Sequence, residues 1–529
     1  MEAWRGTFEA HWQEVAEVVL PRESNTFQGF RTPGAKQTEK QFDATAASAL
    51  DRFTSVMDSM STPQNSKWHR LKSTDSSLNK NPRVRRYFED ANNILFDQRY
   101  VPRANFNNQK LEEYTSLGAF GTGALFVTRR MPTAKVDPRG GLRYRSIHLA
   151  ELFIAENFQG NVDKVHRKFN MTRRQVVQEF GKDKLPAKFL ELAEKTPESE
   201  VPVLHCVKPR ADMDPSKADH RGMPFASYHV LPEEKVLLRE GGYDTMPYIV
   251  SRYRTASREV YGRSPAMMVL PAIKVLNEQK KTSLKVGHRL ADPIILASDD
   301  GVLDAFSLKP GTQVSGAIDS SGRKLVSTLD MPAGQLQAVD KMMEYERQAI
   351  NDAFMITLFQ ILVETPQMTA TEVLERTREK GILLAPTMGR HQTESLAPMI
   401  ERELDILADM QMLPDMPPEL VEAQGEYGIE YDSPLSRAMR AEEAAGFFRM
   451  IEQTSVVANV TQDPSIFDHY NFEAAIPEIA DIQAVPAAWM ATAEQIDAKR
   501  QGRQQQVATQ QMIDAGPAAA AMIKNVQPR

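Results

Sequence analysis

Apolar residues recur every three or four positions along both ends of the chain, with a central stretch of short alternating runs between them. Trp4, Phe8, Trp12, Val15 and Val19 share one helical face that stops at Leu20-Pro21. A polar, mobile-looking segment, Arg22 to Lys40, follows. Asp43 to Met60 is predicted as a second helix burying Ala46, Leu50, Phe53, Val56 and Met57, and Ser61-Thr62-Pro63 ends it. Lys67 to Leu71 reads as a short strand. Arg83 to Tyr100 reads as a helix that stops before Pro102. Arg83, Arg85 and Arg86 crowd its first turn, where the helix dipole disfavours cations, and are expected on a solvated face.

From Gly118 to Val250 the period changes to two. Ala124 to Thr128, Leu142 to Arg145, Phe153 to Ala155, Val162 to Phe169, Val201 to Val207, Ser227 to Val230, Lys235 to Leu238 and Pro247 to Val250 are the expected strands. A helix from Thr172 to Phe180, with Thr172 as N-cap, interrupts them. Ser264-Pro265 then restarts helix, with Ser as N-cap and Pro at N1. Val269, Ile273, Leu276, Leu284, Gly287 and Ala291 mark its apolar stripe. Lys274, Lys281, Lys285 and His288 fall near one direction, roughly a third of a turn away.

Between Ala266 and Ala291 stand five Lys/Arg and one Glu; between Asp292 and Asp330, three Lys/Arg and six Asp. The second segment is turn-rich, with Asp300-Gly301, Pro310-Gly311 and Ser321-Gly322 between β runs. A basic helix thus leads to a small acidic β tip, and Leu336 to Val363, free of Pro and Gly, is predicted to lead back as one long helix. Met368 to Leu404 follows as another helix. Thr369 and Glu372 have capping-box spacing, and Met368 and Val373 are placed for a hydrophobic staple. The joint, Glu364 to Met368, is tight, and local pattern by itself favours an ordinary helical hairpin in a core. Beyond Pro414, Pro417 and Pro418, Ser436 to Val457 is expected to be helical and Asp463 to Asp468 to begin another short helix. Ala487 to Ile523 is an Ala/Gln-rich tail. The fold class is α+β, mainly helical.

With 529 residues and 41% hydrophobic content, the chain can build a large core in roughly three domains. A net charge of −6 excludes a global polycation, so any nucleic-acid contact falls to local stripes such as the lysines above. One cysteine, Cys206, excludes an intrachain disulfide and is expected to be a small buried hydrophobe. No run reaches the roughly 18 apolar residues of a membrane span, and the N-terminus lacks signal-peptide character, so a soluble, intracellularly made protein is expected.

Recognised reaction chemistry is missing. Gly118-Ala119-Phe120-Gly121-Thr122-Gly123 lacks a phosphate-reaching lysine and precedes a strand, so a tight turn with positive φ is the expectation. No zinc spacing, nucleophile elbow or paired His motif occurs. Among 70 carboxylates, sequence nominates no catalytic pair. No enzyme activity, metal or cofactor is expected.

Several blocks occur in a telling order: Tyr248-Ile249-Val250-Ser251-Arg252-Tyr253, Glu259-Val260-Tyr261-Gly262-Arg263-Ser264-Pro265 and Leu270 to Asn277. Asp43-Ala44-Thr45-Ala46, Thr62-Pro63 with Lys67-Trp68, Thr369-Ala370-Thr371-Glu372-Val373, and Arg390 with Glu394, Leu396 and Pro398 join them. Together, collinear from about Trp4 to Pro414, they resemble the portal proteins, or head-to-tail connectors, of short-tailed, podovirus-type bacteriophages.

The resemblance implies a ring, usually of twelve subunits, at a unique capsid vertex of the virion, assembled in the host cytoplasm. It implies a channel for double-stranded DNA read without sequence specificity. The implied partners are the terminase, tail or adaptor proteins, and the capsid with its internal core or scaffold proteins. Residues 1–263 would be the wing, 264–291 a stem helix, 292–330 the clip, and 331–363 a second stem helix continuing into the wing. Residues 364–368 would form a tunnel loop, 369–433 the wing's long helices, 434–486 the crown and 487–529 a barrel helix or tail. Lys274, Lys281, Lys285, His288, Thr365 and Gln367 would face DNA, and Asp299, Asp300, Asp304 and Asp319 would dock partners. The competing classes are a structural virion protein without a DNA channel and a nucleic-acid enzyme with an unrecognised site.

Overall fold

A computed structural model of the protein describes residues 1–24, 27, 40–132, 139–292, 295–297, 317–318, 320–328, 334–356, 386–423, 425–431, 434–462, 464–472, 475–476, 479–480, 491, 495–496 and 498–503. The chain divides into two units, one of residues 1–66 and 95–412, the other of 67–94 and 413–529.

In the first unit, α1 (Glu2–Val19) buries Trp12, Val15, Val18 and Val19. Trp4 departs from the expected face and is 70% exposed, while Arg5 turns inward. Its guanidinium donates to the carbonyl oxygens of Leu149, Ala150 and Leu152 and pairs with Glu9 at 2.7 Å. Three carbonyls and a carboxylate satisfy the group, so an arginine sits where periodicity called for an apolar residue. Helix α2 (Thr45–Ser61) buries Ala46, Leu50, Phe53 and Met57, as expected.

Strand β1 (His69–Ser73) and helix α3 (Pro82–Arg99) follow. Arg83, Arg85 and Arg86 are exposed. Helix α4 (Phe106–Phe120) has no counterpart in the periodicity, because its inner face carries buried Lys110 and Glu113 beside Tyr114 and Leu117. It ends at Gly121, whose φ of 78° confirms the positive-φ turn.

Strands β2 (Thr122–Arg130) and β3 (Gly141–Ser146) are followed by β4 (Leu152–Glu156) and β5 (Val162–Thr172). Helix α5 (Arg173–Phe180) opens with the Thr172 cap, and Gln175 completes a full capping box. Helix α6 (Ala187–Lys195), absent from the sequence expectation, lies between α5 and β6 (Glu200–Pro209) in chain order. Strands β7 (Phe225–Leu231), β8 (Val236–Tyr243) and β9 (Tyr248–Arg252) complete two antiparallel sheets, ordered β3-β2-β9 and β4-β5-β6-β7-β8. A satellite core of Val176, Phe189, Val201, Val203, Leu231 and Leu238 sits under α5 and α6. Cys206 is a free thiol and only half-buried.

The helix expected from Ser264 is two. Ser264 caps α7 (Pro265–Met268), accepting from the Met267 N–H at 2.9 Å, and α8 (Leu270–Ala291) begins afresh after Val269. Pro271 has no N–H for the Met267 carbonyl and crowds it, which breaks the run. Strands β10 (Ile295–Ala297) and β11 (Val326–Thr328) pair antiparallel, and α9 (Gly334–Ala353) returns. The continuous helix expected to Val363 is interrupted after Ala353, and residues 357–363 lie outside the described ones. Met355 takes φ 60°, and Phe354 and Ile356 both become buried. A positive φ at a non-glycine residue leaves the helical region and breaks the run.

The Thr369/Glu372 box and the 364–368 joint lie outside the described residues. From 386 to 409 the chain is helical but not uniformly α. A π-turn, Gln392–Leu396, precedes α10 (Ala397–Asp409).

In the second unit β1 pairs with β12 (Tyr427–Tyr431), register His69 to Tyr431, and Trp68, Val84, Phe88, Ala91 and Leu420 are buried. Helix α11 (Pro418–Glu422) precedes β12, and α12 (Pro434–Thr461) and a 3-10 turn, Pro464–His469, follow it. Of the Ala/Gln-rich tail only 491, 495–496 and 498–503 are described.

A close backbone approach in the first unit falls at the Tyr-Gly-Arg-Ser-Pro block. A Cβ on Gly262 would stand 2.1 Å from the Gly121 carbonyl oxygen, and one on Gly121 2.5 Å from that of Gly262. The Gly262 N–H donates to Thr122 Oγ1 at 2.9 Å, and Ser264 Oγ donates to the Ala119 carbonyl at 2.8 Å. Gly287, by contrast, has open space where a Cβ would go, within α8. Gly262→Ala is therefore expected to cost about 3 kcal/mol or more through backbone collision. Gly287→Ala should stabilise by about 0.5–1 kcal/mol through helix propensity. Urea unfolding of the two variants should move the midpoint in opposite directions.

Candidate nucleic-acid interface

Helices α8 and α9 pack against each other and share their inner ends with the main core. Leu270, Ile273 and Leu276 from α8 are buried, as are Met343 and Ile350 from α9. Asn277 marks the edge. Its Oδ1 accepts from the N–H groups of Phe42, at 2.6 Å, and Asp43, at 3.2 Å, and its Nδ2 donates to the Lys40 carbonyl at 2.6 Å. Asp43 in turn accepts from the Thr45 N–H and from Arg347 of α9. One amide and one carboxylate thus tie both helices to the start of α2, which gives the Asp43-Ala44-Thr45-Ala46 block a structural job.

Outward from Glu278 to Ala291 no residue of α8 is buried. That length is roughly 20 Å at 1.5 Å per residue. Leu284 carries the apolar stripe along it and is exposed; Val275 and Leu290, off the stripe, are exposed too, as are Met342 and Tyr345 on α9. Among the described residues these side chains are left open to solvent.

The four cations of the polar stripe are all on this helix, and the structure distinguishes them. Lys274 Nζ donates to Glu14 Oε2 at 2.6 Å. Lys281 meets Glu278 at 3.2 Å, and its ammonium lies 5.4 Å from the Phe42 ring centroid. Lys285 and His288 are exposed, with no ion pair among the described residues. The Glu278 contact, at i,i+3, was legible from spacing; the Glu14 contact joins residues 260 apart and left no local signal. Thr365 and Gln367, and the acidic set Asp299, Asp300, Asp304 and Asp319, lie outside the described residues. What is described of that tip is the β10–β11 pair and an Ile318–Lys324 bridge.

Behind the helices stands a buried charge network that the sequence could not nominate. Glu113 accepts from Lys110 at 2.8 Å, Ser251 at 2.7 Å and Ser395 at 3.0 Å. Arg99 and Glu403 form a fully buried bidentate pair, with Tyr144 OH donating to Glu403 at 2.5 Å. Burial and the Glu403 charge hold the Tyr144 hydroxyl well above its ordinary pKa. Arg252 donates to Glu394 through its backbone N–H, Nε and Nη2, and pairs with Glu156. A further carboxylate group, Asp244, Asp405 and Asp409, is partly exposed; burial and the two neighbours raise the Asp244 pKa, and Arg402 pairs with Asp405 at 2.6 Å.

The chain matches the family model of the bacteriophage head to tail connecting protein over residues 1–490, and it belongs to that family. It is 29% identical to the probable portal protein of Bordetella phage BPP-1, an alignment covering 99% of this chain and 93% of the relative. It is 27% identical to the portal protein of Salmonella phage epsilon15, over 98% of this chain and 91% of that protein.

Asn277→Ala should leave two N–H donors and one carbonyl without their partner. The expected cost is about 1–3 kcal/mol. Hydrogen exchange should accelerate at the Phe42 and Asp43 amides, with the amides of β6 unchanged.

Proposed function

We propose that this chain is the phage portal subunit, closing into a ring through which double-stranded DNA enters the head and later leaves it. The portal role follows from membership of the connector family and from two portal proteins aligned along nearly their whole length. The observation that carries the ring is the outer half of α8: a helix standing clear of its own core with an apolar stripe and a separate cationic one. Rings built from identical subunits use heterologous contacts, in which an apolar stripe on one copy meets a different surface on the next. The cationic stripe is then left for the lumen. Twelve subunits is the expected number.

The β10–β11 tip fits a clip, and its acidic residues Asp299, Asp300, Asp304 and Asp319 fit docking of a basic surface on the terminase, and later on tail proteins. Thr365 and Gln367 would line the tunnel between stem and capsid interior. Capsid and scaffold proteins would meet the wing, and residues from 434 onward would form the crown. No turnover is assigned to the subunit: it belongs to a structural family, and ATP hydrolysis would come from the terminase. Among the described residues no helix is long and apolar enough to cross a membrane.

Electron microscopy of the purified full-length protein should show annular particles of several hundred kDa with a central hole. Solid or linear assemblies would overturn the ring. Replacing Lys274, Lys281 and Lys285 by Gln should leave rings intact and change DNA packaging or retention. Lys285 should dominate, since Lys274 and Lys281 already have carboxylate partners. Normal packaging by the triple variant would remove the stripe from the lumen.

A further inference from the structure

The β2–β3 hairpin concentrates positive charge in a chain that is acidic overall. From Arg129 to Arg145 it has six Lys/Arg against the single Asp137. The register pairs Phe126 with Arg145 and Thr128 with Arg143, so these four side chains share one face, while Leu142 and Tyr144 point the other way and are buried. Arg143 and Arg145 are exposed, and neither has an ion pair among the described residues. Partial burial, then the Arg167 and Arg143 charges, push the Arg145 guanidinium below its ordinary range. Glu151 is the opposing carboxylate, and it already serves Arg167 at 2.8 Å. Arg130 Nη2 donates to the Gly140 carbonyl at 3.0 Å, bracing the arm's end.

Like charges left together on a solvated face gain nothing for folding, and no packing requirement explains them. Their chemistry points to an anion. Arg143 and Arg145 lie two apart on one strand, with Cα atoms roughly 7 Å apart, so each guanidinium can take a different phosphate. Thr128 adds a hydroxyl of the kind that contacts phosphate oxygens. A protein partner would be expected to find an exposed apolar or aromatic anchor at the centre of the patch, and among the described residues the aromatics of this face, half-buried Phe126 and buried Tyr248 opposite it, lie at its inner edge and pack on each other. We propose that this face of the β2–β3 hairpin is a second contact for the phosphate backbone of double-stranded DNA, separate from the stem lysines. It rests on the portal reading only in taking DNA as the polymer this protein handles.

The test is binding of a short DNA duplex to the full-length protein, by fluorescence anisotropy across a series of NaCl concentrations. Each phosphate contact contributes about 0.9 to the slope of log affinity against log salt. Arg143→Gln with Arg145→Gln should therefore lower the slope by about 1.8, and Arg143→Lys with Arg145→Lys should retain it. The reduction should persist when the three stem lysines are also Gln. An unchanged slope in the Gln pair overturns the proposal. So does loss of poly-glutamate binding with the DNA slope intact, which would assign the face to an acidic protein. Microscopy of the same wild-type preparation keeps the two ideas apart: rings with an unchanged slope sink the hairpin contact alone, and absence of rings sinks the portal assembly.

Discussion

Four buried carboxylate and cation side chains, Glu113, Lys110, Glu403 and Arg99, set the terms for the first unit. All are fully removed from water. An ion in that position costs several kcal/mol unless its partner and its remaining hydrogen bonds are all in place. Here they are: Glu113 takes a lysine and two serines, and Glu403 a bidentate arginine and a tyrosine. The partners lie far apart in sequence, Lys110 and Ser395 being 285 residues distant and Arg99 and Glu403 304. Alpha-helix α4 and the sheet it serves therefore reach full satisfaction only when the helical segment 386–409 has docked. The charges add specificity to that docking more than net stability.

The π-turn sits within this docking segment. Its wider turn changes which residues face inward on either side of Gln392–Leu396, and two of its five, Glu394 and Ser395, meet Arg252 and Lys110. Arg390, one turn earlier, shares Glu394 at 3.0 Å. The sequence blocks Arg390 with Glu394 and Tyr248 to Tyr253 are thus two halves of one contact. Likewise Tyr261-Gly262-Arg263-Ser264-Pro265 works by backbone approach, hydroxyl capping and a ring packed on Trp12 at 5.1 Å. Its residues hold the start of α7 against α1 and the end of α4.

That division explains what could be read beforehand. The apolar inner faces of α1 and α2 were legible from spacing, α5 from its Thr172 cap, and β1 to β9 and the Gly121 turn from pattern, whereas β12 was not. Helix α4 was not, because Lys110 and Glu113 occupy inner positions and cancel the pattern that would reveal it. Arg5 replaced Trp4 at the core for the same reason: carbonyls from a distant turn satisfy it, and periodicity carries no record of them. The break at Val269 was latent in Pro271, whereas the stop at Ala353 has no Gly or Pro to announce it. It is marked only by the positive φ of Met355. Of the cationic stripe, positions were legible and electrostatics were not, since Glu14 approaches Lys274 only after α1 has folded against α8.

That last pairing bears on how a channel holds and releases its polymer. Every unopposed cation facing DNA adds to affinity and to its salt dependence, and a ring multiplies each one by the number of subunits. A lumen lined by many bare lysines would bind too tightly for duplex to move along it. On the polar stripe of α8, Lys274 and Lys281 carry carboxylates at 2.6 and 3.2 Å, and among the described residues Lys285 and His288 have none. If this stripe faces DNA, its attraction would be weaker at Lys274 and Lys281 and stronger toward the β10–β11 tip. In a ring, such a gradient would draw DNA phosphates in at the tip end while leaving the inner passage loosely engaged. A uniform lysine stripe, as the sequence alone presents it, would lack that asymmetry.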